Sequence, residues 1–171
     1  AKEIHESSLL FDGHNNLVAA LLRRKDADLT SIDLTRFQQG LHTDLPRIQQ
    51  GGLGAEFFAT YVSHANVKKG RAVRETLEQI EHIKKLLRRY PNAWELATSS
   101  ADVQRLHAER RMAGLIAVEN GEAIDDSLAV LRDYYRAGVR CLALTHDDTH
   151  GWADAALDAA LRFAPHVQRV D

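Results

Sequence analysis

His14 and Asn16 stand two residues apart in the segment FDGHNNL. In an extended backbone, side chains at i and i+2 point to the same side. An imidazole nitrogen and an amide oxygen would therefore converge on one point, the arrangement by which a His-x-Asp pair grips a metal ion. The amide carries no charge, so it would hold a divalent cation less firmly than a carboxylate would. A hydrogen-bonded surface histidine is the competing reading. Glu119 follows directly on the apolar run GLIAV. A carboxylate delivered there by a buried segment must be paired or must coordinate something, and an arginine partner and a metal ion are equally open. His146 follows a second apolar run, VRCLAL, and leads into Asp147, Asp148 and His150. These three could ligate a metal or form a solvated loop. Tyr61 and His64 close the run LGAEFFATYV; Tyr61 could line a substrate pocket or simply pack.

These residues need elements to position them. The apolar runs predict strands near 8–12, 53–62, 112–118 and 139–144, with a short one near 94–98. Val73, Leu77, Ile80, Ile83, Leu86 and Leu87 recur at three- and four-residue steps and predict an amphipathic helix over 70–90, stopped by Pro91. Further helices are expected over 17–22, 44–50, 100–110, 126–137 and 153–163. Strands alternating with helices imply a parallel α/β sheet with right-handed crossovers. In such sheets chemistry gathers beyond the carboxyl ends of the strands. Asp12, His14, Asn16, Tyr61, His64, Glu119, His146, Asp147 and Asp148 all fall there.

Composition narrows the functional classes. The chain has 171 residues with 22 Lys and Arg against 24 Asp and Glu, a net charge of −2 that argues against a nucleic-acid partner. No apolar run nears the ~20 residues that span a bilayer, and the opening AKEIHESS lacks a signal-like apolar stretch, so no membrane segment is expected. Cys141, the sole cysteine, excludes an intramolecular disulfide and a cysteine metal cage, and makes a reducing, cytoplasmic location the expectation. Within a strand it reads as a small core residue. Gly51, Gly52 and Gly54 do not form a phosphate-binding glycine loop. His5, His42, His82, His107 and His166 are expected to face solvent.

Taken together, FDGHNNL, DLPRIQQGGLGAEFFATYV, GLIAVENGEAIDDSLAVLRDYYRAGVRCLALTH and GWADAA resemble the membrane dipeptidase (renal dipeptidase) family of zinc peptidases over most of residues 8–156. The resemblance implies a (β/α)8 barrel of the TIM type. A full barrel takes ~250 residues, so residues 1–171 are expected to form one domain covering about its first half. The implied centre holds two zinc ions and activates a bridging water for attack on the peptide bond of a dipeptide. Carried onto this chain, His14 and Asn16 would bind one zinc, Glu119 would bridge both, and His146 would contact the substrate, with Tyr61 beside it. No side chain is assigned as nucleophile or general acid. Two departures stand out: Asn16 replaces the family's aspartate, and Asn120 and Glu122 replace a glycine and often a histidine, bringing extra acid near Glu119. The histidines of the second zinc site, and an acidic residue from the last strand, would lie outside these residues. The alternative is a catalytically silent relative or fragment serving as a binding or structural module. Open sheet edges also predict self-association into a homo-oligomer.

Overall fold

The computed structural model describes residues 2–24 and 32–156. Five strands make one sheet in which every pairing is parallel: β1 (Leu10–Asn15), β2 (Leu53–Tyr61), β3 (Trp94–Leu96), β4 (Met112–Glu119) and β5 (Val139–Leu142). β4 is the axis of the sheet. Its sequence MAGLIAVE is apolar up to the final residue, and every residue before Glu119 is buried, as expected of a strand covered on both faces. β2 runs along one edge of β4, and β1 lies outside β2. The other edge of β4 is shared: Trp94 and Leu96 of β3 pair with Met112 and Gly114, and Val139 and Leu142 of β5 with Ile116 and Val118. The five strands thus occupy four rows.

Helices cover the two faces unequally. On one face, α2 (Leu17–Leu22) and α5 (Ala72–Arg89) bury Leu17, Leu21, Ile80, Ile83 and Leu86 against Phe58, Trp94 and Ile116. Of the apolar period read in 70–90, Ile80, Ile83, Leu86 and Leu87 form this inward stripe, Val73 is half-buried, and Leu77 is 40% exposed. On the other face, α6 (Ser100–Ala108) sets Val103 and Leu106 over Ala55, Ala113 and Leu115, a much smaller cluster. Outside its cover the sheet lies open. Phe11, stacked on Phe57 at 5.5 Å, stays 43% exposed. Cys141 is exposed there too, which corrects the core assignment: it pairs with Ala117 on the face that carries little helix. His82, expected in solvent, is half-buried on α5; burial first, and then the Lys85 charge, holds its pKa below the ordinary range.

The remaining helices are α1 (Lys2–Ser7), α3 (Leu45–Gly51), α4 (His64–Val67) and α7 (Leu128–Arg136), with a 3-10 turn at Gly121–Ile124. α1, α4 and the 3-10 turn were not expected: KEIHES, HANV and GEAI carry no apolar run such as the LVAALL of α2. Caps mark the others: Asp44, Ser99 and Ser127 each accept a bond from a first-turn N–H of α3, α6 and α7. The helix expected over 153–163 lies outside the described residues from 157 onward, as does His166. No helix among the described residues is long and apolar enough to cross a membrane.

One close approach ties β4 to the loop after β5. Gly121 donates its N–H to the Leu144 carbonyl at 3.1 Å. A Cβ at this position would stand 2.6 Å from the Leu144 carbonyl oxygen and 2.4 Å from the Trp152 ring. A backbone atom cannot step aside, so Gly121→Ala is expected to destabilise the fold by roughly 1–3 kcal/mol. Urea unfolding of the two proteins measures this, and equal midpoints would show that the approach is not tight.

Candidate metal centre

Because all the strands run in one direction, the ends of β1, β2, β4 and β5 open at the same edge of the sheet. β1 reaches that edge through a register slip between Asp12 and Asn15. Asp12 Oδ1 accepts the His14 N–H at 3.1 Å and shapes this turn. The two asparagines then divide their work. Asn15 Oδ1 accepts the Leu17 N–H at 2.8 Å, and its amide donates to Thr43 Oγ1 at 2.9 Å. Asn16 occupies the N-cap position of α2 but makes no capping bond; its amide lies 3.1 Å from His14 Nε2.

Glu119 ends β4 with its side chain 15% exposed. His14 Nε2 lies 3.4 Å from Oε2, and His146 Nε2 lies 3.4 Å from Oε1. Its ion-pair partners among the described residues are two histidines and no arginine. Each contact exceeds the ~2.7–3.2 Å of a good N–H···O bond. It matches the separation of about 3.4 Å at which two donors sit when they share one tetrahedral zinc. The donor chemistry, one imidazole and one carboxylate with the Asn16 amide at hand, thus suits a divalent cation. The set is incomplete: among the described residues no three His, Cys, Asp or Glu side chains close around a common point.

His146 is fixed on three sides. Asp147 Oδ2 lies 3.1 Å from Nδ1, Glu119 faces Nε2, and Tyr61 packs against the ring at 5.1 Å between centroids. Tyr61 is brought there by register, as the direct partner of Glu119 across β2 and β4. Gln79 of α5 holds it in place, accepting the Tyr61 N–H at 3.0 Å and donating to its carbonyl at 2.8 Å. Burial, and then the charges of Glu119, Asp147 and Asp148, push the Tyr61 phenol up. Its hydroxyl stays protonated and able to donate.

His14, Asn16, Glu119, His146 and Tyr61 are thus brought together. Other candidates part from them. His64 turns to Glu122, with Nδ1 at 3.1 Å from both carboxylate oxygens, and Asn120 donates to Glu122 Oε2 at 3.0 Å. The extra acid expected beside Glu119 is taken up in this pair. Of the two readings of Asp147, Asp148 and His150, a metal-ligating cluster is not found among the described residues. Asp147 serves His146, while His150 Nε2 lies 2.7 Å from the Leu144 carbonyl and its ring meets Trp152 edge-on at 4.4 Å between centroids. Gln79, buried within a helix, and the pairing of His64 with Glu122 escaped the sequence reading, since neither has a local signature.

Comparison with known proteins identifies relatives of the chain. The sequence pattern of the membrane dipeptidases (peptidase family M19) matches residues 1–168. Dipeptidase 3 of Mus musculus is 39% identical over 158 residues, which are 92% of this chain and 31% of that protein. The chain therefore spans about a third of the length of the curated relatives it matches. A crystal structure of the dipeptidase AC, a metallopeptidase, superposes with a TM-score of 0.65 at 26% identity, covering 80% of this chain and 42% of that one. A metallopeptidase from Rhodobacter sphaeroides, liganded with a phosphinate mimic of the dipeptide L-Ala-D-Ala, gives the same TM-score and identity over 80% of this chain and 45% of its own. The parallel sheet is the N-terminal part of their TIM-barrel-like domain, and the chain belongs to the membrane dipeptidase family of metallopeptidases.

Proposed function

We propose that this chain carries the first half of a zinc-dependent dipeptidase site, with His14, Asn16 and Glu119 as metal-binding residues and His146 and Tyr61 as substrate-binding residues. The observation that carries the reading is the pair of imidazoles drawn to the half-buried end of β4, where Glu119 has no arginine or lysine partner among the described residues. When bound, zinc supplies a Lewis acid that polarises the scissile carbonyl and lowers the pKa of a water molecule. The chain's own groups do the rest. Asp147 at Nδ1 holds the His146 ring so that Nε2 faces the site and an approaching peptide. The protonated Tyr61 hydroxyl offers a donor on the same side. The substrate class follows the relatives, one of which is liganded with a dipeptide mimic.

Calorimetry with zinc tests the reading. One zinc per chain is expected, with binding lost in His14→Ala and in Glu119→Gln, and with little or no dipeptide hydrolysis by the zinc-loaded chain. A wild-type chain that takes up no zinc overturns the reading, and so does zinc binding that survives Glu119→Gln.

Residue 16 gives a sharper test. Asn16→Asp adds a charged oxygen donor against a dication and should raise zinc affinity by at least ~10-fold, the lower end of what changes outside the ligand shell already achieve. The fold should not change, since Asn15 and not Asn16 caps the following helix. Equal affinities would show that residue 16 does not face the metal.

We further propose that the chain self-associates through its open sheet. Leu10 and Phe11 on the β1 edge are 39% and 43% exposed, and Leu144 beyond β5 is 59% exposed. Unpaired strand edges flanked by apolar side chains template pairing with another chain. Light scattering is expected to give at least a dimer, and a monodisperse monomer would contradict the proposal.

A further inference from the structure

Glu56 lies in the middle of β2, 0% exposed, and neither of its carboxylate oxygens has a hydrogen-bond donor. Such a group is costly unless something compensates it. Asn15 comes near, but its amide is directed to Thr43 at 2.9 Å and makes no bond of good geometry with Glu56. What does face Glu56 is another acid. Asp12 is its register partner on β1, and its charge acts on Glu56 directly. Among the described residues no cation acts on Glu56. On β4 the register partner of Glu56 is Gly114. The residues that α2 and α5 bury against the sheet, among them Leu17, Val18, Leu21, Thr76, Gln79, Ile80 and Ile83, carry no charge.

A wholly buried carboxylate set beside a second, partly exposed acid is costly to ionise, and a proton on Glu56 resolves the conflict. With that proton Glu56 becomes a donor, and Asp12 is the acceptor beside it. Asp12 already accepts the His14 N–H at 3.1 Å, at the root of the register slip that carries His14 and Asn16.

We propose that Glu56 is a positioning residue: as a neutral acid it donates to Asp12, and Asp12 holds the backbone of His14, so that a buried carboxyl sets the stance of the β1 end through its partly exposed neighbour. Its importance for metal binding rests on the function proposed above, but the pair itself does not. Burial, reinforced by the Asp12 charge, pushes the Glu56 carboxyl up from 4.5 to about 8. Between these values the folded chain holds a proton that the unfolded chain lacks. The stabilisation is therefore complete below the unfolded value and is lost as pH rises through about 8.

The experiment uses the metal-free chain, so that failure of zinc binding and failure of the pair are separate results. Carbon-13 NMR of labelled glutamate should show one carboxyl titrating near 8, absent in Glu56→Gln. The backbone amide shift of His14 should follow the same midpoint in the wild type and lose that inflection in Glu56→Gln. The thermal midpoint of the wild type should fall, relative to Glu56→Gln, by roughly 5–10 °C across the same pH range. Asp12→Asn keeps an acceptor but removes the neighbouring charge. It should lower the Glu56 midpoint while leaving it above the ordinary range, and it carries the test if Glu56→Gln does not fold. The proposal is overturned if every glutamate titrates in the ordinary range, if the His14 amide ignores the titration of Glu56, or if Glu56→Gln keeps the wild-type dependence on pH.

Discussion

A charge at the end of a wholly buried strand must be answered, and in this molecule the answer organises everything around it. β4 is covered on both faces until its last residue, where the carboxylate of Glu119 emerges. Two imidazoles answer it, one from β1, two rows away, and one from the loop beyond β5 in the adjoining row. Only a parallel sheet lets such distant segments meet, because it discharges all of its strands at one edge. The supporting contacts serve that meeting. Register sets Tyr61 beside Glu119, Gln79 pins the end of β2, and the bare Cα of Gly121 lets the loop after β5 lie against the end of β4.

The parts of this arrangement that are local in the chain are legible in it. The stripe from Val73 to Leu87 announces a helix, and the uninterrupted GLIAV run announces a central strand that delivers Glu119 to the edge. FDGHNNL shows two donors on one side of an extended segment. What pairs with what is a different matter, since nothing local specifies it. His64 and Glu122 are 58 residues apart and meet only because the turns after β2 and β4 are neighbours. The sharing of one edge of β4 between β3 and β5 depends on the height at which each strand enters the sheet, and no periodicity records that height. Cys141 shows the limit from another direction. Its place in an apolar strand says that it is half-covered, but which half depends on how far α6 reaches. Glu56 is hidden for a related reason: one acid within an apolar run shows neither its depth nor its neighbour.

The two histidines at Glu119 differ in how they are held. His14 belongs to the outermost row and stays about half exposed, positioned by its backbone and by the Asp12 carboxylate. His146 is held by its side chain, between an aromatic ring and two carboxylates. Mobility at this edge should therefore be concentrated on the β1 side, where fewer packed atoms oppose local opening.

The division of work between Asn15 and Asn16 bears on how such a site changes over generations. In many helices the residue at the N-cap serves stability, so that selection for folding and selection for chemistry act on the same side chain. Here the neighbour has taken the structural duty. Residue 16 is left free to exchange an amide for a carboxylate, or the reverse, without unravelling the turn that presents it. A lineage could weaken or restore its hold on a cation by a single substitution and pay almost nothing in folding, which makes this position a place where activity can be lost and regained while the scaffold persists.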